Sequence, residues 1–270
     1  MLPQGTAVLA KCSLLNNHPN LGVNWVSEDD TQWTPLHIAS IRGHLEVVKL
    51  LLAHPNINVN LKDNDGQTLF LLGCLNGHVL VVRVLLKDPR VDITMDDNSG
   101  CTPLWCASHN GNYKVIEWLI ASGRDLGDFE NKKGKWGGKY YTALEIAIEY
   151  KKSEVVSLLE RFNVNPSQTR YKLRVKLGVL DALAAEVFAL TVFLCDDLLQ
   201  LKSASRLAAT PHPATTAAIR FFSIAKRLPM ELQMILCHRA VGSMKQNILR
   251  KDSEAAFKSL PRSLLDSQPE

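Results

Sequence analysis

The chain has 270 residues, of which 46% are hydrophobic and 21% charged, and its formal net charge is +4. That length suits one large or two ordinary domains, and the longest strongly apolar run, residues 187–195, is about half as long as a transmembrane helix. We therefore expect no membrane-spanning protein, and because no charged-then-apolar leader follows Met1 we predict a cytoplasmic or nuclear location.

A block that reads Thr-Pro-Leu-His-x-Ala begins at Thr34 and returns in altered form at Thr68, Thr102 and Thr142. The intervals are 34, 34 and 40 residues, so the last one contains an insertion of six. Each threonine is suited to cap a helix, and the glycine that follows each of the first three suits the end of that helix. Paired aliphatic residues then fall on one face of a second helix, and we expect these to be buried: Val47, Val48, Leu51, Val81, Val82, Leu85, Val115, Ile116 and Leu119.

This pattern resembles that of the ankyrin repeat, whose units stack because none can bury its apolar face alone. The resemblance implies an all-α ankyrin-repeat solenoid in residues 1–165, with four full repeats and short hairpins between them. We interpret residues 6–15 as an N-terminal half-repeat. The fourth repeat departs furthest from the pattern, because Glu160 stands where its predecessors carry leucine or isoleucine. We expect the domain that follows to cover this end of the array.

Residues 166–270 are predicted to form a second, small helical domain of no recognised family. Apolar residues spaced alternately by four and three from Leu173 to Leu201 predict one long helix with a heptad seam. Three further helices are expected, one ending near Arg227, one opening at Pro229, and a short one starting after Asp252 and ending before Pro261. The long helix is expected to pack on its own neighbours.

A homodimeric coiled coil is the alternative use of this seam. Ala184 and Thr191 would be poor seam residues for such a dimer. We therefore predict a monomer.

Motifs for catalysis are missing: there is no Gly-x-Ser-x-Gly elbow, no phosphate loop and no His-Glu-x-x-His. His37, His44 and His78 occupy positions that the repeat pattern itself uses, so we expect them to bond neighbouring turns and repeats. The six cysteines form no CxxC pair and are expected to be reduced and mostly buried. We predict a protein that is not an enzyme, with no cofactor, metal or small-molecule substrate.

In the ankyrin family, partner contacts cluster at the hairpin tips and on the first helix of each repeat. The insertion, residues 131–141, adds lysines and the aromatic residues Trp136, Tyr140 and Tyr141 beside glycines, and we expect it to act as a recognition arm for a partner that is acidic and apolar where it makes contact. The candidate partner-binding residues are Asp30, Trp33, Arg42, Asn64, Asp65, Gln67, Asn76, Asn98, His109, Asn110, Lys135, Trp136, Lys139, Tyr141 and Tyr150.

Two alternatives stay open for the C-terminal domain. The string from Leu228 to Leu236 resembles the opening of an F-box, which would make the chain a substrate receptor of a ubiquitin ligase. The residues that would dock the adaptor are Leu228, Pro229, Leu232, Ile235 and Leu236. The same string is also an ordinary helix start, with proline at its first position and Leu232 beginning the buried face.

The second alternative is a nucleic-acid or membrane-surface binder. Residues 170–270 carry 15 Lys+Arg against 9 Asp+Glu, but their only tight basic cluster is Arg170, Lys172, Arg174 and Lys176, a pattern more typical of a solvated helix face. The main prediction is therefore a scaffold that binds one or more proteins.

Overall fold

The computed structural model describes residues 22–27, 31–195, 213–225 and 227–265. The predicted half-repeat at residues 6–15 lies outside these ranges. Contacts between Cα atoms divide the chain into two compact units, residues 1–173 and 174–270. Each unit is described by itself below.

The first unit consists of four helix pairs in succession. The helices of these pairs are α1 (Pro35–Arg42) and α2 (Leu45–Leu52), α3 (Leu69–Leu75) and α4 (Val79–Lys87), α5 (Pro103–Asn110) and α6 (Tyr113–Ser122), and α7 (Ala143–Glu149) and α8 (Ser153–Val164). The first helices of successive pairs pack on each other in one layer, and the second helices pack in another. The four predicted full repeats are therefore confirmed.

Threonine caps begin the first helix of every pair, as the sequence predicts. The hydroxyl oxygens of Thr34, Thr68, Thr102 and Thr142 each accept a bond from the main-chain N–H three residues on. The helices end where the sequence predicts, because a glycine adopts positive φ after each of α1, α3 and α5. In the fourth pair Lys151 takes this position with a φ of 55°.

The apolar core lies between the two layers of helices. All nine aliphatic residues predicted to be buried are buried, from Val47 on α2 to Leu119 on α6. Leu36, Phe70 and Ile146 extend the same core from the first helices. The repeats, which are spaced by 34 residues, therefore stack as the sequence predicts.

Two histidines bond neighbouring segments, and this confirms their predicted structural role. His37 Nδ1 accepts from the N–H of Thr34 at 3.1 Å, and its Nε2–H donates to the carbonyl of Gln67 at 3.3 Å. His78 Nε2–H donates to the carbonyl of Ile41 in the preceding repeat at 2.7 Å. For His44, the hydrogen bonds found among the described residues are those of its main chain.

Helix α9 (Pro166–Lys176) begins in the first unit and packs there. Leu173 is buried, and Arg170 Nε–H donates to the carbonyl of Ile120 at 3.3 Å. The guanidinium of Arg170 also lies 5.8 Å from the ring centre of Phe162. One cation of the predicted basic cluster is thus occupied by structural contacts.

The second unit contains α10 (Val179–Cys195), α11 (Pro213–Ala225), α12 (Met230–Ala240) and α13 (Arg250–Leu265). Helix α10 packs on α12 and α13, and its seam residues Ala184, Thr191 and Leu194 are buried. The small side chains of Ala185 and Ala189 allow close approach to Ala256, with Phe257 beside them.

Two sequence predictions about this region are wrong in detail. The heptad seam that starts at Leu173 does not lie on one helix, because the chain breaks between α9 and α10 at Gly178, whose φ is 69°. The last helix does not end before Pro261: α13 starts at Arg250 and runs through the proline to Leu265. The seam beyond residue 195 lies outside the described ranges.

Among the described residues, no single helix is both long enough and apolar enough to cross a membrane. Helices α9 and α10 pass that test of length and composition only when they are counted together across their break.

Candidate partner-binding surface

The segment before each first helix forms a finger, and neighbouring fingers are bonded main chain to main chain. Asn64 N–H donates to the carbonyl of Thr31 at 3.2 Å, and Asn98 N–H donates to that of Asp65 at 3.0 Å. The inserted finger continues the series, since Lys135 N–H donates to the carbonyl of Ser99 at 2.9 Å. We call this continuous series of four fingers the finger row.

The insertion folds as a β-hairpin, which the sequence analysis did not predict. Strand β1 (Gly134–Trp136) pairs with β2 (Lys139–Tyr141) in antiparallel register. Gly137 and Gly138 connect the strands with φ values of 56° and 82°, the positive pair that a type I′ turn requires. The hairpin lies close on Cys101, because a Cβ added at Gly134 would be 2.6 Å from the Cys101 sulfur.

Four aromatic rings meet where the hairpin lies over the first-helix layer, and we call Trp105, His109, Trp136 and Tyr150 the aromatic cluster. The rings of Trp105 and His109 stack at 5.5 Å, and the rings of Trp136 and Tyr150 lie 4.8 and 4.4 Å from that of His109. Trp136 Nε1–H donates to the Tyr150 hydroxyl at 2.7 Å. The cluster is therefore a bonded unit built from α5, the hairpin and the end of α7.

The outer part of this cluster faces solvent. Trp136 is 46% exposed and Tyr150 43% exposed, whereas Trp105 is buried. Trp105 Nε1–H donates to the carbonyl of Tyr141 at 2.8 Å, which fixes the base of the hairpin. The accessible side chains of Trp136 and Tyr150 thus lie beside the buried ring of Trp105.

His109 lies at the centre of the cluster, where its surroundings favour the neutral form of the imidazole. Burial lowers its pKa below the usual value, and the nearby charge of Lys152 lowers it further, although a bond with Asn110 acts in the opposite direction. Its Nε2 is enclosed and has no hydrogen-bond partner among the described residues. The ring therefore contributes packing rather than charge.

Charges around the hairpin divide into paired and unpaired ones. Lys132 Nζ lies 2.7 Å from Asp96, and the resulting hydrogen bond lowers the pKa of that carboxyl group. Lys133 lies 3.7 Å from Glu145. Lys135 and Lys139 are exposed, and within the described part of the chain neither has an ion-pair partner.

Acidic residues in the earlier fingers are partly used by the fingers themselves. Asp63 is buried, and its Oδ1 accepts from the N–H groups of Asp65 and Gln67. Asp97 Oδ1 accepts from Ser99 and Cys101 in the same way. Their primary role is to shape the turns, which leaves Asp65 as an exposed acid of the second finger.

The candidate residues chosen from the sequence lie on this surface to different degrees. Asp30 is outside the described residues. The exposed ones are Arg42, Asn64, Asp65, Asn76, Asn98, Asn110, Lys135, Trp136, Lys139 and Tyr150, and the half-buried ones are Trp33, Gln67, His109 and Tyr141.

Several of these side chains also have structural bonds. Trp33 Nε1–H donates to Asp63, and Asn110 donates to the carbonyl of Leu75.

The aromatic residues of the arm differ in exposure. Tyr141, a proposed partner-binding residue, is half-buried, and its main-chain carbonyl accepts from the indole of Trp105. Tyr140 is the most exposed aromatic residue of the hairpin, at 62%. Trp105 was not proposed for the site, although its replacement of the histidine in the repeat block was a visible signal.

The proposed docking residues of the F-box-like string differ in exposure. Helix α12 begins at Met230, and Leu232 is 48% exposed rather than the start of a buried face. Gln233 is buried instead, and its side chain donates to the carbonyl of Leu228 at 2.9 Å. Of the other proposed docking residues, Pro229 is exposed, and Leu228, Ile235 and Leu236 are half-buried.

Within the described ranges, no three His, Cys, Asp or Glu side chains lie close enough together to hold a metal ion.

Comparison with known proteins identifies the repeats directly. A family model of ankyrin repeats matches the chain in three copies, at residues 7–97, 56–130 and 89–170. Comparison with curated proteins gave no match. The matched region spans more than half of the chain and coincides with the stacked helix pairs, so the chain belongs to the ankyrin-repeat family.

Proposed function

We propose that this protein is a scaffold without catalytic activity, which binds a partner protein through the finger row, the adjoining face of the first helices and the aromatic cluster. Ankyrin repeats imply a protein–protein interaction module. The observation that carries the finer proposal is the aromatic cluster, in which Trp136 and Tyr150 are hydrogen-bonded to each other and accessible.

Aromatic residues of this kind are suited to dominate an interface. Tryptophan and tyrosine supply much of the binding energy at protein interfaces, most of all where their surroundings exclude water. The bond between Trp136 and Tyr150 holds both rings before a partner arrives. Less rotational freedom is then lost on binding, which favours affinity.

The surrounding charge favours a partner with acidic groups beside its apolar contact. Lys135 and Lys139 lie on the hairpin next to the aromatic cluster, and Lys151 and Lys152 follow Tyr150 directly. Lys151 is held at positive φ, where the preceding repeats have glycine. A lysine kept in this strained conformation costs on the order of 1 kcal/mol, which suggests a functional reason for its presence.

The test begins with an affinity pull-down by the full chain, with bound proteins identified by mass spectrometry. Trp136→Ala is expected to weaken binding of the recovered partner by roughly 2 kcal/mol, about 30-fold, because it removes an interface anchor. Leu80→Ala is the matched control, since Leu80 is 56% exposed but lies on the second-helix layer. Its binding should match that of the parent.

If Trp136→Ala and the parent bind the partner equally well while both remain helical, the aromatic cluster is not the binding surface. The exposed finger residues Asn64, Asp65 and Asn98 then become the next surface to test.

The adaptor-docking alternative has weaker support, because Ile235 and Leu236 are half-buried and Leu232 stands by itself as an exposed leucine of α12. Co-purification of the chain with the adaptor subunit of a ubiquitin ligase would favour it. Binding that weakens steeply with salt and needs the C-terminal unit would favour nucleic acid or a membrane surface.

A further inference from the structure

The finger row has a direction. In each internal finger, one main-chain N–H points back to the preceding finger and one carbonyl points forward to the next. Asn64 and Asp65 perform these two tasks in the second finger, and Asn98 and Ser99 perform them in the third. The last described finger therefore has no following finger bonded to its forward side.

The hairpin is the last described finger of this row, and its register shows which groups face forward. Lys135 is paired with Tyr140, but Lys135 N–H is directed away from β2 to the carbonyl of Ser99. The pair Lys135 and Tyr140 is thus of the non-hydrogen-bonded type. The N–H and C=O of Tyr140 consequently point away from β1, on the outer edge of β2.

This outer edge is open. Tyr140 is 62% exposed, Lys139 is exposed, and among the described residues neither main-chain group of Tyr140 has a partner. An exposed edge with unpaired N–H and C=O groups is a template for another strand. Addition of an extended peptide to such an edge is an established mode of peptide recognition.

We propose that the outer edge of β2 is the docking site for an extended acidic segment of the partner protein, which adds to the hairpin as a third strand. The proposal rests on the proposed function, in that the hairpin end of the array must be a partner-binding surface. Strand addition extends that proposed function in two ways. It states how the partner's main chain is held, and it states which side chains the docked segment should have.

The side chains of β2 define the chemistry of this segment. A residue placed opposite Tyr140 lies on the same face as Tyr140 and Lys135, and an aromatic or β-branched side chain packs best there. The next residue, opposite Lys139, lies on the face of Trp136 and Lys139. A carboxylate there would pair with Lys139, so the segment should alternate apolar and acidic residues.

Tyr140→Pro is the decisive variant. Because Tyr140 N–H points outward, proline removes no bond between β1 and β2, and edge strands tolerate it in that orientation. The same substitution removes the donor and places a ring where an added strand would lie. Tyr140→Thr is the matched control, since it loses the aromatic ring but keeps the N–H and a strand-forming side chain.

The probe is a phage-displayed library of random linear peptides selected on the full chain. We expect enriched peptides that alternate acidic with aromatic or β-branched residues. Tyr140→Thr should weaken binding of these peptides by at most about fivefold, because it loses only the cross-strand packing of the ring. Tyr140→Pro should weaken binding about tenfold further than Tyr140→Thr does, because it also removes the main-chain donor. Lys139→Glu should also weaken them, and high salt should reduce the difference between this variant and the parent.

The possible failures are distinguishable. If the peptides lose affinity to Trp136→Ala but bind Tyr140→Pro like the parent, strand addition is wrong and the proposed binding surface stands. If neither variant changes binding, both proposals are wrong for this end of the array.

Two further outcomes concern the occupant of the edge. If the library yields no enriched peptide, strand addition by an acidic segment is overturned. If the parent chain itself dimerises and Tyr140→Pro abolishes the dimer, the occupant is a second copy rather than a partner. Circular dichroism and tryptophan fluorescence of each variant verify that the hairpin is retained.

Discussion

Trp105 replaces the histidine of the repeat block without losing that histidine's bond. His37 Nε2–H donates to the carbonyl of Gln67, the residue before the next threonine, and Trp105 Nε1–H donates to the carbonyl of Tyr141, which precedes Thr142. The indole keeps the link between neighbouring repeats and adds a ring on which His109 stacks. A single substitution thus supplies the base of the aromatic cluster.

The same comparison leads to a prediction for Trp105→Phe. Phenylalanine keeps an aromatic ring but cannot donate, so the carbonyl of Tyr141 loses its partner. We expect a loss of about 1 kcal/mol in the free energy of unfolding, measured by urea titration. Trp118→Phe is the control, because Trp118 contacts Arg83 on the second-helix layer rather than the hairpin. Equal losses in the two variants would contradict a specific role for the bond.

Acid should destabilise the array through His37, which is buried, and His109, which is half-buried. Burial is the main cause that lowers the pKa of His37 below the ordinary value of 6.5, and it does the same for His109. The unfolded chain therefore takes up protons before the folded one as the pH falls. Stability should be full above about pH 6.5 and should decrease below it.

Urea titrations at about pH 7.5 and about pH 5.5 measure this effect. His37→Gln should reduce the difference in unfolding free energy between the two pH values. A parent chain that is equally stable at both would contradict the prediction.

Cavity formation gives the simplest prediction for the core. Leu85 on α4 is fully buried in the central repeat. Leu85→Ala should cost about 2 to 5 kcal/mol of unfolding free energy, the usual range for a truncated buried leucine. Leu80→Ala on the exposed side of the same helix should cost far less, and similar losses would show that the helix packs differently.

At the scale of elements, we expect the substitution of glycine by alanine to have opposite effects on stability at Gly73 and at Gly134. A Cβ at Gly73, inside α3, would meet Val82 at 3.5 Å, an ordinary contact. Gly73→Ala should therefore stabilise the protein by roughly 0.5 to 1 kcal/mol through the better helix propensity of alanine. A Cβ at Gly134 would lie 2.6 Å from the sulfur of Cys101, so Gly134→Ala should destabilise the hairpin by about 1 to 3 kcal/mol.

Thermal melting followed by circular dichroism measures both substitutions. Adding Cys101→Ala to Gly134→Ala removes the atom that the new methyl group meets, and should recover part of the loss. If Gly134→Ala melts like the parent, the hairpin does not lie as closely on Cys101 as the structure shows.

Elements that depend on local signals could be predicted from the sequence. Threonine caps, glycine helix ends and the pairs of buried aliphatic residues all follow from spacing within one repeat. The aromatic cluster could not, because it brings together Trp105, Trp136 and Tyr150 from three elements whose contact depends on the register of an unforeseen hairpin. The heptad seam failed for a related reason. The apolar periodicity continues through Gly178, but the helical conformation of the backbone ends there.

At the scale of the whole molecule, the unit that contains the array extends into α9. Arg170 contacts Ile120 and Phe162, and Leu173, the last residue of the first unit, is buried. A fragment of residues 1–173 should therefore be more stable than one of residues 1–165. Burying a leucine side chain contributes about 1.5 to 3 kcal/mol.

For a unit of this size, that difference corresponds to a shift in melting temperature of about 3 to 10 °C. Leu173→Ala in the full chain should lower the transition in the same direction, which separates the contribution of the side chain from that of chain length. Equal transitions for the two fragments would place the end of the array at residue 165.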